Sequence, residues 1–164
     1  MEYDDPTLRA ANVDGSSALG ALVGRRAEIF SLTEATARAI VSPTIEGGLS
    51  RDLRAAFACR IARLNGETAL AQSYATQLGE EIGEGTRQVA DPDYSDCPDD
   101  RLRAMVRHVD LITTTPKDAT QQDIARLRDA GLEEADIVRL SQVIAFTNYQ
   151  VRVVAGLRLL GDAL

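Results

Sequence analysis

Apolar residues recur at helical intervals along most of this chain, most clearly between Leu53 and Tyr74. Leu53, Phe57, Ile61 and Leu64 form one stripe. Arg51, Arg54, Arg60 and Arg63 fall mostly at other angles and are expected to be solvated or paired. Asn65-Gly66 breaks the pattern, because glycine readily takes the left-handed conformation that closes a helix. Glu67 then opens a second helix, where a carboxylate suits the positive end of the helix dipole. Leu70, Tyr74 and Leu78 continue it at four-residue steps, and the helix is expected to fade from Gly79 to Gly85.

The same reading extends in both directions. Residues 1–15 are polar and are expected to form a flexible, irregular arm, followed by a single helical domain over 16–164. Ser16 or Ser17 caps a short helix carrying Leu19, Leu22 and Val23. Ser31-Leu-Thr-Glu34 has the form of a capping box for a helix ending near Val41. Ser50 caps the Leu53 helix, with Asp52 in its first turn. Residues 83–98 read as a long polar loop; its aspartates lack the spacing of a calcium-binding EF-hand.

A helix from about Asp99 to Ile112 presents Leu102, Met105, Val106, Val109 and Ile112 on its core face, with His108 off that stripe. Pro116 breaks it. Thr120 to Asp123 forms another cap, and Gly131 closes the helix that follows. The last helix, about Glu133 to Leu160, is apolar over more than one face. The fold class is therefore all-α, with six or seven helices.

Composition narrows the function classes. Hydrophobic residues make up 45% of 164, enough for a core in one domain. No run reaches the roughly 18 apolar residues of a membrane span. The beginning of the sequence lacks the pattern of a secretory signal, so a cytoplasmic location is the expectation. A net charge of -7 and an aromatic content of 4% disfavour nucleic acid as a partner. Cys59 and Cys97 have neither metal-ligand nor redox spacing. Cys59 belongs in the core, whereas Cys97 in the polar loop is the candidate reactive thiol; a disulfide between them stays open. No metal or cofactor motif is present, so none is expected.

The Leu53–Tyr74 stretch resembles the centre of the alkylhydroperoxidase D-like, carboxymuconolactone decarboxylase-like superfamily, where a helix runs into Asn-Gly and a Cys-x-x-Cys-x-x-x-His motif begins. Thr115-Pro116, Thr120 to Leu127, Ala130-Gly131-Leu132 and Phe146 to Arg152 resemble its peroxidase-related branch, with Asn148 and Arg152 matching a Tyr-Phe-Asn-x-x-Asn-Arg segment and Val151 departing from it. On this resemblance the two cysteines fall on Glu67 and Leu70, the histidine on Tyr74, and an upstream glutamate near Ala55. A thiol peroxidase needs a nucleophilic and a resolving sulfur on one helical turn. That chemistry is missing, while the resemblance still implies the helical fold.

Polar groups remain near the implied site. One reading makes Glu67 a general base and Tyr74 a proton donor, with Gln72, Ser73, His108, Asn148 and Arg152 lining a pocket for a small-molecule ligand. Decarboxylase relatives do acid–base work without cysteines, so the resemblance permits it. The alternative is a non-catalytic member retained as an oligomeric subunit or binding partner of an active relative. There Glu67 is a helix-terminal charge, Tyr74 a core residue and Arg152 an interface ion-pair residue. The all-round apolar last helix points to a homo-oligomer, as does the resemblance, whose relatives form dimers, trimers and hexamers; the other explanation is a helix at the centre of the monomer core.

Overall fold

The computed structural model describes residues 5–164; residues 1–4 of the expected arm lie outside them. Nine α-helices and one 3-10 turn make up the regular structure of the described residues: α1 (Pro6–Ala10), α2 (Ala18–Gly24), α3 (Ala27–Val41), α4 (Arg51–Leu64), α5 (Thr68–Ala75), α6 (Glu84–Val89), α7 (Asp100–Thr114), the turn Pro116–Asp118, α8 (Gln121–Asp129) and α9 (Glu134–Asp162). The helical class is as expected, but the count of six or seven is too low.

Both additional helices are short and draw their stability from docking. Residues 5–15 were expected to be irregular, yet Asp5 caps α1 by accepting from the Thr7 backbone N–H at 2.6 Å. Leu8, Ala10, Ala11 and Val13 are buried behind it. Helix α6 lies in the expected long loop and buries Val89 and Ala90. Neither segment is long enough to show a helical period. The Ser31–Glu34 capping box is also absent: α3 has already begun at Ala27, so Ser31 is an interior residue. Glu34 instead accepts a hydrogen bond from Arg38 at 2.8 Å, one turn on.

Other ends follow local chemistry. The Ser17 hydroxyl accepts from Gly20 N at 3.0 Å, and that of Ser50 from Leu53 N at 3.2 Å. Thr120 and Asp123 form a reciprocal capping box. Gly66 has φ +75°, which a side chain would disfavour. Helix α5 ends at Ala75, short of Gly79.

Helix α4 is the hub, packed against α5, α6, α7 and α9 and also touching α3. One stripe was expected, but the whole span from Leu53 to Ala62 is buried, while Leu64 is only half-buried. The small side chains of Ala55, Ala56, Ala58 and Ala62 permit close neighbours on several sides. Its two buried arginines are paired rather than solvated. Arg54 donates to the carbonyls of Leu49, Ile40 and Glu46 at 2.9, 2.8 and 2.7 Å. Arg60 forks onto Asp110 at 2.6 and 2.7 Å and also donates to the carbonyls of Val89, Asp91, Pro92 and Tyr94. A fixed planar fork with five donors suits this many acceptors. It ties the segment after α6 to the core.

Helix α9 runs through the assembly against α1, α2, α3, α4, α7 and α8. Val143, Ile144, Phe146, Val151 and Val154 are buried within the single chain, and Val153 and Leu157 are half-buried. Much of its all-round apolar character is thus satisfied internally. Val138, Tyr149, Leu159 and Leu160 are left exposed. Among the described residues no helix is long and apolar enough to cross a membrane.

Candidate functional site

The candidate residues fall into two separate groups. The first lies on α5 and its start. Glu67 is the N-cap residue of α5, but its side chain makes no capping bond. It turns to Arg158 of α9, whose Nη1 lies 3.0 Å from Oε1 and 2.9 Å from Oε2, with hydrogen-bond geometry only to Oε1. Arg158 Nη2 also donates to the Ala10 carbonyl at 2.8 Å. Helices α5 and α9 and the end of α1 are thereby held together.

Tyr74 is buried in the interior. Its hydroxyl donates to Gln150 Oε1, and Gln150 Nε2 donates to Thr7 Oγ1 at 3.0 Å. Burial pushes the phenol well above its usual range, with the Gln150 bond opposing the shift. At neutral pH it is a neutral donor already engaged within the core. Gln72 is exposed, and the half-exposed Ser73 hydroxyl bonds back to the Ala69 carbonyl at 3.2 Å. These four residues share a helix without sharing the cavity described next.

The second group is gathered by α7, α8 and α9 around a cavity of about 490 Å³. His108, Asn148 and Arg152 line it together with Ile112, Ile124 and Ile144. His108 was expected off the α7 core face, but α8 packs across α7 and only 6% of the residue remains exposed. Its Nδ1 is buried without a hydrogen-bond partner among the described residues. Desolvation lowers its pKa from 6.5, against the opposing charge of Asp123. The imidazole is therefore neutral at pH 7.

Asn148 and Arg152 sit one turn apart on α9. Asn148 donates to the Ile144 carbonyl at 3.0 Å and accepts from Asn65 at 3.2 Å. Its amide thus links the α4–α5 break to α9. Arg152 Nη1 donates to the Asn148 carbonyl at 2.8 Å, which holds the exposed guanidinium at the cavity edge. An imidazole with an unpaired nitrogen, an arginine and an apolar wall make a setting for an anionic small molecule.

A smaller cavity of about 250 Å³ adjoins His108 between α7 and α8, lined by Arg103, Arg107 and Arg126 among others. These arginines were missed in the sequence because periodicity places them on outward faces without revealing where two helices leave a gap. The cysteines contribute no reactive surface. Cys97 was the expected reactive thiol, but both cysteines are free, fully buried and raised in pKa by burial. Arg103 donates to the Cys97 carbonyl at 2.6 Å and, with Arg60, folds this polar segment inward. Among the described residues no group of three or more His, Cys, Asp or Glu is placed to hold a metal ion.

The all-helical fold, in which α4 breaks into α5 beside a long α9, has a counterpart among solved structures. The chain is similar to an uncharacterized peroxidase-related protein from Silicibacter sp. TM1040, whose crystal structure is at 1.70 Å resolution. The two share 21% identity with a TM-score of 0.67, over 79% of this chain and 68% of that one. No family model matches the sequence, and neither does any curated protein.

Proposed function

We propose that the chain binds a small, largely apolar carboxylate in the His108 cavity and performs non-thiol acid–base chemistry on it. The observation that carries this reading is the buried, neutral His108 with an unpaired nitrogen on a cavity edged by Arg152. Arg152 holds the carboxylate by charge-assisted hydrogen bonds. His108 takes a proton from an acidic C–H or O–H of the bound molecule and returns it. Desolvation lowers its basicity but keeps it unprotonated and ready to accept. Glu67, committed to Arg158, and Tyr74, committed to Gln150, have supporting roles here. The peroxidase-related neighbour supports the fold on which this site is built.

His108 is the only histidine, so its ring protons are an unambiguous NMR reporter. Benzoate, phenylacetate and hexanoate are titrated while those resonances are followed. At least one is expected to give a saturable shift, weakened about tenfold or more by Arg152→Gln, as for loss of a charged hydrogen-bond partner. Glu67→Gln should leave it unchanged. Absence of a saturable shift with all three, or indifference to Arg152→Gln, rejects the site.

A second reading, self-association, rests on apolar residues left outside. Tyr149 of α9 meets Thr33 of α3 at 3.4 Å, and Ile29 and Leu32, within a turn of Thr33, are exposed beside them. Large apolar side chains exposed on two neighbouring helices favour burial against another copy. Light scattering should give a multiple of the 17.7 kDa chain mass, reduced by Leu32→Lys. A single-chain mass across about a hundredfold range of concentration, wide enough to reveal mass action, rejects the assembly.

A further inference from the structure

We propose that the smaller cavity beside His108 is a binding site for a phosphate group, free or carried by a monoester. It shares one wall residue with the carboxylate site and has its own cations. Arg103, Arg107 and Arg126 face Asp100 and Asp123 around this space of about 250 Å³. Both carboxylates are already engaged. Asp100 pairs with Arg103. Asp123 accepts from the Thr120 N–H and hydroxyl, both at 2.9 Å, and from Arg126 at 2.6 Å. Arg107 has no hydrogen bond or ion pair among the described residues and leaves one positive charge in excess, in a chain whose net charge is -7.

A second observation points to a ligand. The buried His108 Nδ1, on a residue that lines this cavity, also lacks a partner. A buried polar atom left without one carries a desolvation cost that a bound group can remove. Guanidinium forks match the oxygens of phosphate, and a tetrahedral oxyanion can accept from several donors at once. Arg107 supplies the uncompensated charge, while Arg103 and Arg126 retain N–H groups beyond those bound to their carboxylates. Helices α7 and α8 hold these groups before a ligand arrives.

The test follows the His108 ring protons during titration with inorganic phosphate and, separately, phenyl phosphate, with sodium chloride matching ionic strength so that screening is constant. A saturable shift with either is expected. Arg107→Gln, on an exposed side chain, should weaken it about tenfold or more. A shift with phosphate itself identifies the free ion as sufficient, and one with phenyl phosphate alone identifies the ester; both support the site. No saturable shift with either, or an equal affinity in Arg107→Gln, overturns it. Arg152→Gln separates the two cavities. Retention of the phosphate shift supports the assignment, whereas its loss moves the anion to the larger cavity and overturns this one. Failure of carboxylate binding leaves these criteria unchanged.

Discussion

The start of α5 and the α7–α8–α9 junction contain similar kinds of residue in opposite situations. At α5, Glu67 faces Arg158, and Tyr74 is joined through Gln150 to Thr7. Polar chemistry there stitches helices together. At the junction, His108 lines both cavities and has a buried nitrogen without a partner, and Arg107 and Arg152 keep cationic surface near it. Unpaired atoms alone do not distinguish the regions, since Asp5 Oδ2 near Tyr74 also lacks a hydrogen bond. The difference lies in coupling an unpaired titratable group to a cavity and a cation. On the proposed reading, the position implied by resemblance to a catalytic motif serves the packing of the helices, while polar residues elsewhere in the fold take the ligand.

The sharpest challenge to this contrast is at Tyr74. Tyr74→Ala empties a fully buried aromatic site and is expected to cost about 3–5 kcal/mol, as for other large aromatic truncations. Tyr74→Phe keeps the ring but removes the donor to Gln150, and leaving a buried acceptor unpaired costs about 1–3 kcal/mol. Urea unfolding measures both. Ligand shifts at His108 should survive in the folded Phe variant. If Tyr74→Phe is neutral in stability yet abolishes those shifts, the two regions act as one site and the contrast fails.

What could be read from the chain follows the range of the interactions involved. Ser17, Ser50, Thr120 with Asp123, and Gly66 act on backbone within a few residues, and all were legible. Ser31 and Glu34 carry the same spacing but sit inside a helix started upstream, showing that a cap motif alone does not set a boundary. Helices α1 and α6 depend on docking surfaces distant in sequence. Cys97 lies in a polar stretch, and its burial depends on arginines from α4 and α7. Asn148 and Arg152 were legible as a pair through the resemblance. His108 was expected in one pocket with them, but so were Gln72 and Ser73; the separation of those two was not legible, because the cavity arises where α8 crosses α7 and meets α9.

A smaller effect concerns pH. His108 has a folded-state pKa depressed by burial, while the unfolded chain titrates near its ordinary value of 6.5. Between those values the unfolded state binds more protons than the folded state, so this contribution to stability increases with pH. It is complete above the unfolded value, declines as pH falls through 6.5, and levels off below the folded value. Asp123 moderates the decline by favouring the charged ring, and its own pKa is held low chiefly by the Thr120 backbone N–H. Carboxylates throughout the protein add their own dependence at lower pH, so the informative quantity is the difference from His108→Asn. Urea unfolding near neutrality and again below 6.5 should show the native protein losing more stability than this variant. Equal losses would mean that the imidazole protonates as freely in the fold as in water. Burial would then have no electrostatic effect on this ring, and the distinction from α5 would rest on the cavity and its cations alone. Phosphate gives the comparison a second arm: an anion beside the ring favours its protonated form and should reduce the excess loss, with Arg107→Gln restoring it.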